Sequence, residues 1–89
     1  MKRLKIKVIG DVQGVFYRFS AKIVAEGAGI TGWAQNEPDD SVSMVVEGEE
    51  EALKKFVEWT KEGSPMAEVD KVLVSEETFT DEFKDFEVR

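Results

Sequence analysis

The sequence predicts an α+β domain with one antiparallel sheet, two helices packed on one face of it, and a short fifth strand. Three observations predict this. Leu4, Ile6 and Val8 alternate with Lys5 and Lys7, and Val42, Met44 and Val46 alternate again further on, which is the period of half-buried strands. Two other segments carry apolar residues at the period of a helix face. The order of all these elements is β-α-β-β-α-β with a terminal strand, and strands outnumbering helices in that order give the split β-α-β layer arrangement called ferredoxin-like.

Taken in order, the first strand covers Leu4 to Ile9, with its lysines reading as a charged edge. A glycine-containing loop, Gly10 to Arg18, leads into a helix over Arg18 to Ala28, where Phe19, Ile23 and Val24 recur at helical spacing and Gly27 and Gly29 stop it. Residues 30–48 form a hairpin around the turn signature Glu37-Pro38-Asp39-Asp40. Glu49, Glu50 and Glu51 open the second helix, where acidic side chains suit the positive end of the dipole. Leu53, Phe56, Val57 and Thr60 supply its apolar stripe, Trp59 widens it, Gly63 is the expected C′ residue and Pro65 prevents continuation. Val69, Val72 and Val74 mark another strand, and Phe83, Phe86 and Val88 a short last one. The sheet face away from the helices is expected to be largely open to solvent.

Eighty-nine residues suffice for one domain with one modest core. There is no run of 18 apolar residues to span a membrane. The basic start is followed by alternation, so it does not read as a signal peptide. Cysteine and histidine are both absent. That excludes zinc sites built on them, Ser-His-Asp triads, and Cys or His phosphoenzymes, and it makes a reducing cytoplasm the expected location. The net charge of −7 opposes general nucleic-acid binding. The charge is uneven: residues 1–22 carry six basic side chains against Asp11 alone, a net +5, while the rest carry six basic and eighteen acidic ones, a net −12.

The chemistry centres on Gly10-Asp11-Val12-Gln13-Gly14-Val15-Phe16-Tyr17-Arg18. A strand, a glycine turn and a helix in that order present backbone N–H groups to an anion, and Arg18 can add a forked donor. A short glycine pattern is weakly specific by itself, and the loop also reads as a plain turn anchored by Val12 and Val15. Two features favour the anion. A cation at a helix N-terminus is disfavoured unless something compensates it, and no acidic residue stands between Val12 and Arg18 in a chain rich in them. The second candidate is Gly32-Trp33-Ala34-Gln35-Asn36. There Trp33 serves packing and Asn36 either starts the turn or holds a water without adding charge beside a phosphate.

These two blocks together resemble the acylphosphatase family. The likeness spans almost the whole chain, including the acidic start of helix two, Trp59, Gly63-Ser64-Pro65 and the closing Phe86-Glu87-Val88-Arg89. Many members carry Val and Arg where this chain has Ala34 and Gln35, and a turn glycine where it has Asp40. The resemblance implies an enzyme that hydrolyses acyl phosphates to carboxylate and inorganic phosphate. It implies that the N–H groups of Gln13, Gly14, Val15, Phe16, Tyr17 and Arg18, with the Arg18 side chain, cradle the phosphoryl oxygens, and that Asn36 positions the attacking water.

The chemistry of the leaving group fits. A carboxylate with a conjugate-acid pKa of about 4 departs unprotonated and needs no general acid, unlike the alkoxide of a phosphate ester. No cofactor is expected. Asp11, Glu37 and Glu49 to Glu51 are better explained by capping and solubility than as magnesium ligands, so no metal is expected. The expected partners are the small-molecule acyl phosphate and inorganic phosphate, with no nucleic acid and no membrane, and the expected state is a monomer. Two rival readings stay open: a non-catalytic ferredoxin-like module that binds an anion or RNA, and an acylphosphatase-like domain handling carbamoyl phosphate within a larger maturation protein.

Overall fold

The computed structural model describes all of residues 1–89. Its elements are β1 (Lys2–Asp11), α1 (Tyr17–Gly27), β2 (Thr31–Asn36), β3 (Val42–Gly48), α2 (Glu50–Thr60), β4 (Glu68–Glu77) and β5 (Phe86–Val88). They form one five-stranded sheet in the order β4-β1-β3-β2-β5, with α1 over β2 and β5 and α2 over β3 and β1. No helix is long and apolar enough to cross a membrane.

The alternation read in the sequence sets the register. Ile6 lies opposite both Met44 and Val74, and Val8 opposite both Val42 and Val72, so these side chains share the helix-covered face. Ile6, Val8, Val42 and Met44 are fully buried there with Leu53 and Phe56 of α2. Burying one such Phe or Leu contributes about 1.5–3 kcal/mol.

Three expectations change. β1 is an interior strand, not a charged edge. Its basic residues are largely paired instead, Lys2 with Glu50 at 3.3 Å and Lys7 with Asp39 at 2.8 Å, each exposed pair contributing about 0–1 kcal/mol. The split fold stands, yet the fifth strand runs parallel to β2 and makes the sheet mixed. The reason lies in the connection. β4 ends beside Arg3, at the end of the sheet where β2 begins, and the segment crosses at that same end, so β5 must set out in the direction of β2. Lastly, α1 buries Tyr17, Ala21 and Ala25, leaving Phe19 and Ile23 exposed. The helical spacing is correct, but small residues face the sheet because α1 packs close over β2 and β5.

The face away from the helices is closed at one end by that crossing segment. Thr80 donates its N–H to Glu47 Oε2 at 2.9 Å. Arg3 donates to Glu77 at 3.1 Å and also bonds Glu82, while its guanidinium lies over the Phe83 ring at 5.2 Å. Glu47 is consequently 2% exposed although it sits on the outer face. Phe83, expected in the last strand, is part of this strap.

Helix α2 ends at Thr60 with Lys61 as its cap, and the left-handed residue Gly63 comes two positions later, its N–H donating to Trp59 O at 2.8 Å. Gly32 is required sterically. At φ 142 a Cβ there would stand 1.9 Å from Val45 O, a main-chain atom of the neighbouring strand. Gly32→Ala is therefore expected to destabilise the chain by about 3 kcal/mol or more, read as a lowered urea midpoint at unchanged slope.

Candidate active site

Four segments meet at the end of the sheet where β1, β2 and β5 finish. β1 delivers the loop of residues 12–16, α1 starts from it, and Asn36 and Val88 are the last residues of β2 and β5.

The loop backbone is unusual. Gly14 has φ 74 and Phe16 φ 63. Glycine takes the first at no steric cost, but a bulky residue in the left-handed region is an outlier that costs on the order of 1–3 kcal/mol. This path leaves the main-chain N–H groups of Gln13, Gly14, Val15 and Phe16 donating to no main-chain acceptor. The first turn of α1 adds its own unpaired donors and contains no acidic residue.

Three side chains brace the loop through four hydrogen bonds. Gln13 Nε2 donates to Glu37 O and to Ser41 O, both at 2.9 Å, which ties the loop to the hairpin turn just past Asn36. Ser64 Oγ donates to Val15 O at 2.6 Å. Tyr17 Oη donates to Thr60 O at 2.7 Å, and its ring lies 5.3 Å from that of Trp59. The Gln13 carboxamide is thus committed to the brace, and only its backbone N–H faces the task expected of it. Ser64 and Thr60 escaped sequence reasoning as loop supports; the Gly63-Ser64-Pro65 block was visible, but nothing local says that its hydroxyl reaches a loop 49 residues away.

Arg18 is the second residue of α1, and its Nη1 donates to the main-chain oxygen of Arg89. The cation at the positive end of the helix is thus compensated by an oxygen, the kind of partner its position demands. Arg89 also places its guanidinium 4.6 Å from the centre of the Trp33 ring, so Trp33 stands on the outer face of the sheet and not in the core. Gly14, Phe16, Tyr17 and Arg18 line a common cavity of about 250 Å³ together with Val88; Asn36 is not among the residues lining it.

Asn36 sits on the helix side of β2, in register with Val42. Its Oδ1 is buried and has no hydrogen-bond partner, an arrangement rare enough to call for a ligand or water. Ala34 is fully buried, while Gln35 faces outward and donates to Glu37 at 3.1 Å. Asp40 takes φ 72, a conformation aspartate tolerates, so it fills a turn position suited to glycine without disturbing the site.

A family model described as Acylphosphatase matches residues 4–88. The chain belongs to the acylphosphatase family. It is 46% identical to an acylphosphatase of Acaryochloris marina over 96% of this chain and 90% of that one, and 43% identical to one of Methylococcus capsulatus over 99% and 96%. Among solved structures it superposes on the acylphosphatase of Bacillus subtilis with a TM-score of 0.96 at 35% identity, covering 100% of this chain and 99% of that one. It also matches full-length HypF in a phosphate- and nucleotide-bound form with a TM-score of 0.90 at 28% identity, covering 99% of this chain but 12% of HypF. Acylphosphatases are enzymes whose substrates are small acyl phosphates, and this chain shares both their sequence and their fold.

Tyr17 offers a check on how firmly the site is built. It is 1% exposed, and burial pushes its phenol well above the usual value. The unfolded chain releases this proton near pH 10 while the folded chain keeps it, so the stability is present below that pH and lost as pH rises past it. Tyr17→Phe should cost about 1–3 kcal/mol at neutral pH, because Thr60 O loses its partner, yet fall less steeply in alkali. Because Tyr17 is the only tyrosine, the ultraviolet titration of tyrosinate reads it directly.

Proposed function

We propose that this chain hydrolyses acyl phosphates at the loop preceding α1, as a single-domain, cofactor-free monomer of the cytoplasm. The N–H groups from Gln13 to Arg18 and the Arg18 guanidinium hold the phosphoryl oxygens, and Asn36 positions the attacking water through its unpartnered Oδ1. The observation that carries this is the run of four consecutive loop N–H groups without main-chain acceptors beside an arginine. Phosphoryl transfer proceeds through a loose transition state whose catalysis is mainly positioning and charge stabilisation. Preorganised N–H dipoles and one guanidinium provide both. The carboxylate leaves as a stable anion, so a chain without histidine or cysteine lacks nothing the step requires.

A phosphate arriving at the loop takes over the Arg18 donor now given to Arg89. The exchange replaces one oxygen acceptor of Arg18 by another. A steady-state assay on benzoyl phosphate with inorganic phosphate as competitor tests the reading. Turnover inhibited competitively by phosphate is expected; absence of turnover, or turnover indifferent to phosphate, overturns it.

The HypF likeness keeps in view the reading of a domain within a larger protein, but 46% and 43% identity to two acylphosphatases against 28% to HypF favours the acylphosphatase reading. An RNA-binding role is disfavoured by the charge of −7 and by an outer sheet face whose strands offer one aromatic, Trp33. No salt-dependent shift with single-stranded RNA is expected.

A further inference from the structure

Phosphate binding leaves three apolar side chains at the mouth of the loop unexplained. Phe16 is 73% exposed, Phe19 53% and Val88 39%. They come from the loop, from α1 and from β5, and they line the same cavity as Gly14 and Arg18. Phe16 does so from a left-handed backbone that a phenylalanine adopts only under strain. Neither burial nor a relaxed turn accounts for a ring held in water in this way, and strain of this kind concentrates where a ligand is gripped. Apolar side chains gathered round a few convergent polar groups are the usual make-up of a small-molecule site.

We propose that Phe16, Phe19 and Val88 form the wall against which the acyl group lies, and that the preferred substrates are acyl phosphates with an aromatic or branched apolar acyl group. This rests on the reading that the loop amides and Arg18 hold the phosphoryl end. One bridging oxygen joins the acyl carbon to phosphorus, so whatever the carbon carries must lie on the side chains next to that pocket. The cavity of about 250 Å³ falls below the roughly 300–1,000 Å³ of sites for drug-sized ligands, which suits a phosphoryl group with one small ring. Arg18 is the one charged residue lining it, so an acyl group bearing a second anion finds no cation there once the phosphoryl group is bound.

The test compares benzoyl phosphate with carbamoyl phosphate on the unsubstituted enzyme and on Phe19→Ser and Phe16→Asn. Asparagine tolerates the left-handed backbone, and Phe19 is exposed, so neither change threatens folding. The unsubstituted enzyme should favour benzoyl phosphate through a lower KM. Each variant should raise that KM on the order of three- to tenfold, the worth of an aromatic contact, and shrink the preference accordingly. Inhibition of Phe19→Ser by inorganic phosphate should move by less than about twofold. A preference absent from the start, or surviving in both variants, overturns the wall, as does an equal loss on both substrates. Failure to hydrolyse either compound would strike the phosphoryl site itself and is separate from these outcomes.

Discussion

Arg18→Ala is expected to lower kcat/KM on benzoyl phosphate by on the order of 10³-fold or more, the range of an arginine that stabilises a transferring phosphoryl group. That is about 4 kcal/mol of transition-state stabilisation. Inhibition by inorganic phosphate should disappear with it, because the same guanidinium holds product and transition state. Stability should barely move. Arg18 sits in the first turn of α1 with no acidic neighbour in that turn, where a cation costs about 0.3–1 kcal/mol. Ala also gives up the hydrogen bond to the Arg89 main-chain oxygen, worth about 0.5–1.5 kcal/mol. The two offset, and the Ala variant should melt at close to the same temperature. Activity lost at constant stability separates a role in the site from a role in the fold. Arg18→Lys should also be poor, because an ammonium is a point donor and cannot present the guanidinium fork. Normal hydrolysis by Arg18→Ala would dismiss the proposed site.

The second large effect is expected at Asn36. Asn36→Ala should reduce kcat by on the order of 10²–10³-fold, as removal of one oriented polar group does, while competitive inhibition by phosphate persists. The contrast with Arg18 follows from placement. Asn36 lies at the end of β2 with a buried, unpartnered Oδ1, and it is not among the residues lining the cavity shared by Gly14 and Arg18. Asn36→Asp keeps the shape and adds a negative charge near the phosphoryl group, so it should weaken phosphate inhibition as well as turnover. Removing a buried acceptor that has no partner should not destabilise the chain, and a thermal melt of Asn36→Ala checks this. Equal loss of phosphate inhibition in the Ala variants of Arg18 and Asn36 would refute the division of labour between them.

Much of this was legible along the chain because it depends on local rules. Alternation in Leu4, Ile6 and Val8 and in Val42, Met44 and Val46 gave the strands and which face of each is buried, while the pairing of β1 with β3 came only from the structure. The loop and Arg18 could be singled out because a cation at a helix N-terminus calls for a compensating anion and no acidic residue stands between Val12 and Arg18. Asn36 was a candidate on its own chemistry, and the resemblance supplied its role. Reading the face of α1 failed at Phe19 and Ile23, since helical spacing identifies a stripe but not which stripe meets the sheet. There the close approach of α1 selected Ala21 and Ala25 instead.

What the sequence determined by itself was therefore the set of elements, the position of the glycine loop proposed to hold an anion, and the exclusion of histidine, cysteine and disulfide chemistry. The tertiary structure alone decided that Gln13, Ser64 and Tyr17 brace that loop, that β5 runs parallel to β2, and that Phe16, Phe19 and Val88 stand together at its mouth. The physical reason is one of range. Alternation, helix periodicity and turn chemistry act over a few residues, whereas a brace or a shared wall joins groups far apart in the chain, and their meeting depends on how the whole sheet twists and closes.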